Sequence, residues 1–147
     1  MNNLSENKKA LFDYEILEKC EAGVQLSGQE VKSAKQGAVN IKGAFVVFKQ
    51  NQAYLTNAHI SKYKQAGNLT DYDPTRSRRL LLHKSQIKHL IGKSQEKGLT
   101  IVPLRVYTKD RLVKVELGVG RGRKIFDKRE VIKKREVNRE IRRSLKN

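Results

Sequence analysis

The side chains able to do chemistry in this chain are few, and their spacing argues against a catalytic site. His59, His83 and His89 have no i, i+4 partner and none lies in an HExxH motif, so the helix-borne pair that holds zinc is missing. Asp71 and Asp73 flank Tyr72 just ahead of Pro74; two carboxylates there could meet a hard cation, but in such a loop they read as turn residues. Cys20 is the only cysteine, which excludes an internal disulfide and a thiolate zinc site. A nucleophilic role for it would need a histidine and an orienting partner that no spacing supplies. Gly118, Gly120 and Gly122 have the look of a phosphate-cradling loop, yet no Gly-Lys-Ser/Thr follows, so they read as a joint between a body and a tail.

What remains is cationic. Arg76, Arg78 and Arg79 run straight into Leu80, Leu81 and Leu82, a dense positive patch beside an apolar segment. Guanidinium groups can take phosphates while the neighbouring hydrocarbon packs on sugars or bases. The competing reading is a solvated rim beside a core strand, and the overall charge decides between them. Thirty-two Lys and Arg against 15 Asp and Glu leave +17, which repels itself in any compact state unless a polyanion neutralises it. Nucleic acid is the expected partner. No run of about 18 apolar residues exists and the N-terminus lacks an apolar signal core, so the expectation is a cytoplasmic protein without a membrane partner. No cofactor is called for.

These groups must be positioned by a chain of 147 residues, enough for one domain and an appendage. Val113, Val115, Leu117 and Val119 alternate with Lys114, Glu116 and Gly118, a period of two that buries one strand face and turns Lys114 away from the core. Leu99 to Tyr107 pairs with it across a turn at Thr108 to Arg111, and Pro103 within that run must sit at an edge or a bulge. Phe45 to Phe48 and Tyr54 to Ile60, parted by polar Gln50 to Gln52, read as a hairpin.

Two helices interrupt the strands. Ser27-Gly28-Gln29-Glu30 is a capping box with Gly37 as the stop, and this local role accounts for Glu30, whereas Glu21 has no local explanation. Lys84 to Glu96 carries Ile87, Leu90 and Ile91 at helical spacing, with Gly98 after its last turn. Short strands with two short helices and no βαβ alternation predict a mainly β protein, a small OB-type β-barrel over residues 1–119. Residues 120–147 hold 12 basic and 4 acidic side chains and too little hydrocarbon for a core, so this basic C-terminal tail is expected to be disordered when free.

Seven short blocks occur in order: Asn7-Lys8-Lys9-Ala10, Glu21-Ala22-Gly23, Gly28-Gln29-Glu30-Val31-Lys32-Ser33, Asn57-Ala58-His59-Ile60, Asp73-Pro74-Thr75-Arg76, Arg79-Leu80-Leu81-Leu82 and Asp127-Lys128-Arg129. From about residue 7 to the C-terminus the chain resembles the SmpB family. The resemblance implies an OB-type barrel that grips the tRNA-like domain of tmRNA and brings it to a stalled ribosome, the work of a binding factor and not an enzyme. It implies that the tail becomes helical on the ribosome, in the empty mRNA channel of the small subunit, with Asp127, Lys128 and Arg129 near the decoding centre. Alanyl-tRNA synthetase and EF-Tu are implied as indirect partners, acting through the RNA.

Glu21, Leu81 and Lys114 match family positions implicated in tmRNA binding, and Asn7 falls in the N-terminal block of the same surface. The expected RNA-binding set is therefore Asn7, Lys8, Glu21, Lys32, Arg76, Arg78, Arg79, Leu81 and Lys114. The expected ribosome-contacting set in the tail is Lys124, Phe126, Asp127, Lys128, Arg129, Lys133, Lys134 and Arg135. The family often carries His or Tyr where Phe126 stands, so an aromatic face is kept there and a polar tip is lost. A ribosomal protein and an RNA-modifying enzyme are the rival readings; the first would stay on washed ribosomes, and the second would need an acid–base set that is not found.

Overall fold

Alternating side chains build most of the chain into antiparallel strands. The computed structural model describes residues 2–64, 71–123 and 125–146. In order the elements are β1 (Asn2–Glu6), α1 (Lys8–Asp13), β2 (Tyr14–Val24), α2 (Gly28–Lys35), β3 (Val39–Asn40), β4 (Phe45–Lys49), β5 (Gln52–Thr56), β6 (His59–Ile60), β7 (Arg78–Leu81), α3 (Lys84–Gln95), β8 (Leu99–Lys109), β9 (Leu112–Gly122) and α4 (Ile125–Lys146).

Seven strands form one antiparallel sheet in the order β1-β8-β9-β2-β7-β5-β4, and β3 pairs with β6 beside it. The long sheet curls until β4 lies against β8, a partly open barrel of the expected OB type. Its inner face carries Ala22, Ala53, Leu55, Leu80, Val106, Val113, Val115 and Leu117, all buried in one cluster with Leu90 of α3 and Ala34 of α2. Each buried Val or Leu stabilises the fold by about 1.5–3 kcal/mol, and that hydrocarbon holds together a chain without disulfides.

Two hairpins turn on residues at positive φ. Gln50 and Asn51 (φ 51° and 58°) join β4 to β5, and Asp110 and Arg111 (φ 50° and 68°) join β8 to β9. Both are two-residue loops of the kind whose twist matches that of the strands they link. The capping box at α2 forms, Ser27 Oγ accepting from Glu30 N–H and Glu30 Oε1 from Ser27 N–H, and Gly37 ends the helix at φ +85°.

Pro103 lies at a bulge, where the register to β9 shifts between Pro103 and Arg105, and β1 pairs with β8 only over Arg105 to Thr108 and does not reach it. The extra residue, Leu104, joins Val102 in a second buried cluster with Ala10 of α1. Helix α1, which the sequence reading did not foresee, exists to cover this patch. It spans only six residues, too few for a helical period to show.

The expected joint at Gly118, Gly120 and Gly122 is corrected. All three lie within β9, where Gly118 and Gly120 are buried. A Cβ on Gly118 would come within 2.8 Å of Leu104 Cδ1, and one on Gly120 within 2.9 Å of Tyr14 Cβ. These glycines let side chains cross the strand closely. The sheet thus runs past the expected boundary at residue 119, and Arg123 N–H still donates to Asp13 O at 2.8 Å.

Beyond it, Ile125–Lys146 run as the helix α4. Ile132, Val137 and Ile141 on it are exposed, and the Arg135 guanidinium lies 6.0 Å from the ring of Phe12 on α1.

Candidate RNA-binding surface

The patch Arg76, Arg78, Arg79 is divided by the alternation of β7. Arg79 points outward and is exposed, while Arg78 points inward and is fully buried. The expectation that Arg78 contacts RNA is corrected: its guanidinium is consumed inside the protein. Nε donates to Glu30 Oε2 at 2.7 Å, Nη1 to Ala58 O at 2.7 Å and Nη2 to Pro74 O at 2.9 Å. Arg76 also reaches Glu30, through Nε at 3.2 Å and through Nη2, and keeps part of its side chain in solvent. Glu30 is therefore more than a cap. Burial works to raise its pKa, but hydrogen bonds from Arg76, the Ser27 backbone and Arg78 prevail and hold the carboxyl below its ordinary value.

Glu21, Leu81 and Lys114 share the outer face of the sheet. Tyr107 on β8 stands opposite Lys114 on β9, Lys114 opposite Gly23 on β2, and Gly23 opposite Leu81 on β7. Gly23 leaves the gap in this row; a Cβ there would sit 3.2 Å from Leu81 Cβ. Leu81 is 49% exposed, and Lys114 is half-buried. The neighbouring row sets Arg105 opposite Glu116 and Glu116 opposite Glu21.

Glu21 acquires its explanation here. It accepts a hydrogen bond from the Tyr107 hydroxyl and lies 3.5 Å from Lys109 Nζ. The Tyr107 hydrogen bond, helped by the charges of Lys109 and Lys114, holds the Glu21 carboxyl below its ordinary range. Burial first, and the Glu21 carboxylate second, push the Tyr107 hydroxyl far up. Tyr107 stays protonated as a donor, Glu21 stays ionised, and Arg105 stacks 4.6 Å above the Tyr107 ring while Nη2 reaches Glu116 at 3.3 Å. Tyr107 is itself buried and supports Glu21 from within, together with Arg105 and Lys109; this support was missed, although the register of the β8–β9 hairpin would have put Tyr107 beside Lys114.

Asn7 is corrected in the same sense as Arg78. It is buried, accepts from Ala10 N–H at 3.1 Å as the cap of α1 and donates to Pro103 O at 3.0 Å, so it ties α1 to the bulge instead of facing a ligand. Lys8 is exposed beside it, and Lys32 is exposed on α2 with its ammonium 5.7 Å from the Tyr63 ring.

Of the tail set, Lys124 lies outside the described residues, as do the side chains of Phe126, Asp127 and Lys128, whose backbone belongs to α4. Arg129, Lys133, Lys134 and Arg135 are exposed on that helix.

The residues first weighed for chemistry have ordinary duties. Asp73 accepts from Thr75 N–H at 3.0 Å in a turn, and His89 meets Glu18 at 2.9 Å beside a cleft of about 490 Å³ between β2 and α3 that includes Cys20. Among the described residues no cluster of His, Cys, Asp and Glu is placed to hold a metal ion, and no helix is long and apolar enough to cross a membrane.

A family model described as SmpB protein matches residues 4–147. The chain is 51% identical over 146 residues to an SsrA-binding protein of Ligilactobacillus salivarius, covering 99% of this chain and 94% of that one. It is 48% identical to the SsrA-binding proteins of Trichodesmium erythraeum and Enterococcus faecalis, covering 97% and 98% of this chain and 92% and 93% of theirs. A solved structure described as "tmRNA-SmpB: a journey to the center of the bacterial ribosome" holds a similar chain, with a TM-score of 0.67 and 47% identity over 82% of this chain and 84% of that one.

Proposed function

Since the chain belongs to the SmpB protein family, we propose that it is an RNA-binding factor of trans-translation, which binds tmRNA and brings it to stalled ribosomes. It acts by binding and carries out no chemistry of its own. The observation that carries this reading is the row Lys114, Gly23, Leu81 with Glu21 beside it on one outer face. A cation for phosphate, an ionised acceptor for a 2′-hydroxyl or exocyclic amine, and a bare leucine for a sugar or base face are the groups that RNA recognition by shape requires.

In this reading the body grips the tRNA-like domain, and Lys8, Lys32, Arg76 and Arg79 add phosphate contacts around the row. Asn7 and Arg78 serve from inside, holding α1 and the 74–76 segment in place. The tail beyond Arg123 enters the empty mRNA channel of the small subunit, where Lys124, Lys133, Lys134 and Arg135 meet ribosomal RNA and Phe126, Asp127, Lys128 and Arg129 lie near the decoding centre. Alanyl-tRNA synthetase charges the bound RNA and EF-Tu delivers it, both acting through tmRNA. The setting is the bacterial cytoplasm, where stalled ribosomes are.

Binding of a tRNA-like-domain transcript, measured beside an elongator tRNA of similar length at one salt concentration, tests the reading. Tighter binding to the tRNA-like domain is expected. Equal binding to both would leave only non-specific electrostatic attraction and contradict it.

A further inference from the structure

We propose that the RNA surface does not stop at Leu81 but continues across β7, β5 and β4, where Phe45 and Tyr54 form a stacking platform for unpaired bases of the same RNA. The inference rests on the reading of the Lys114–Leu81 row as an RNA surface.

Strand alternation carries the geometry. On β4, Val46 and Phe48 pack into the core, so Phe45 and Val47 face outward, exposed by 48% and 38%. On β5, Ala53 and Leu55 are buried, so Tyr54 faces outward. Tyr54 stands opposite Val47 on one side and Arg79 on the other. Arg79 in turn lies two residues before Leu81 on the outward side of β7. The face is therefore continuous, and from β9 to β4 it crosses four strand spacings of about 4.8 Å, about 19 Å along the sheet.

An exposed phenylalanine and valine on the last strand of a sheet are costly to leave uncovered, because bare apolar edges invite aggregation and soluble proteins usually place charges there. Something covers them. Charge complementarity identifies it as nucleic acid: the molecule carries +17, and Arg79 is set between the aromatic residues and Leu81. Aromatic rings flanked by a guanidinium on the outside of an OB-type barrel bind unpaired bases through their π faces while the cation follows the backbone.

The test measures binding of the tRNA-like-domain transcript to Phe45→Ala, Tyr54→Leu and Lys114→Ala across a salt series, with urea midpoints to verify folding. Phe45→Ala keeps the fold because its side chain lies on the exposed edge, and Tyr54→Leu keeps the apolar bulk. Each should weaken binding about fivefold or more, since stacking is lost, while the slope of log affinity against log salt stays at the wild-type value because no phosphate contact is removed. Wild-type affinity for both variants, with Lys114→Ala weakened, would overturn the platform, leave the face to a partner other than RNA and leave the proposed function standing. Wild-type protein binding this transcript no more tightly than unrelated RNA would remove the reading beneath it, and the platform with it.

Discussion

Arg78 and Glu30 meet in the dry interior, two guanidinium nitrogens lying 2.7 Å from the same carboxylate oxygen with neither side chain exposed. The pair joins α2 to the start of β7, and Arg78 additionally holds the carbonyls of Ala58 and Pro74.

Removing one partner strands the other charge in low dielectric. Glu30→Gln keeps the size and the cap but leaves Arg78 unpaired, and the expected loss of stability is about 3–5 kcal/mol, read as a lowered urea midpoint. A midpoint within error of wild type would show that the pair contributes nothing. The pH dependence follows from the same carboxyl. Because its folded pKa lies below the unfolded value, its contribution is complete above the unfolded value, near pH 4.3, and disappears as pH falls through the folded value. Wild-type stability should therefore drop on acidification in that window, and the drop should be smaller in Glu30→Gln.

Arg79 and Arg78 sit side by side and should fail in different ways. Arg79→Gln, on the outward side, should leave the urea midpoint within about 0.5 kcal/mol of wild type. It should flatten the log–log salt dependence of RNA binding by about 0.7–0.9 units, the value of one phosphate contact. A lowered midpoint with an unchanged slope would mean that the two arginines have been placed the wrong way round.

Lys114→Ala should weaken tmRNA binding with little change in stability, since the side chain lies off the core face. Beside it, Tyr107→Phe removes the hydrogen bond that chiefly depresses Glu21. The Glu21 carboxyl, followed by NMR, should then titrate at higher pH than in the wild type. An unmoved Glu21 titration would contradict the contact.

Glycines that pack should be distinguishable from glycines that merely link. Gly120→Ala places a methyl against Tyr14 Cβ, the root of a side chain that cannot swing away, and should cost about 1–3 kcal/mol. Gly118→Ala meets the flexible end of Leu104 and should cost less, and Gly122→Ala has open space and should be silent. Equal tolerance at all three would restore the reading of a flexible joint.

What could be read from the sequence was local. The alternation in β9, the Ser27 to Glu30 box and the hairpin across Gln50 to Gln52 are set by residues within a few positions of one another, and each formed, although the second strand of the hairpin ends at Thr56 and His59–Ile60 pairs with β3 instead of continuing it. The Arg78–Glu30 pair spans 48 positions, and nothing in either neighbourhood announces it; the capping box even supplied a sufficient local reason for Glu30. Arg78 among three arginines looked like surface because inward and outward cannot be assigned until the phase of β7 is known. Asn7 was matched to a binding block, while its burial depends on the distant bulge at Leu104, where it bonds to the carbonyls of Pro103 and Leu104. In the outer row, alternation alone turned Lys114 away from the core, whereas Tyr107 beside it required the register of a hairpin.

The central claim is a division of labour between a body that holds tmRNA and a tail that works in the ribosome, and reconstituted tagging of nascent chains on stalled ribosomes tests it most directly. Full-length protein should support tagging. A version ending at Arg123, which retains all of β9 and its bond to Asp13, should shift tmRNA in a gel and support none. The free tail peptide should show little helix by circular dichroism, because its like charges repel until ribosomal RNA neutralises them. Loss of tmRNA binding in the truncated protein, or tagging at the full rate without the tail, would contradict the account.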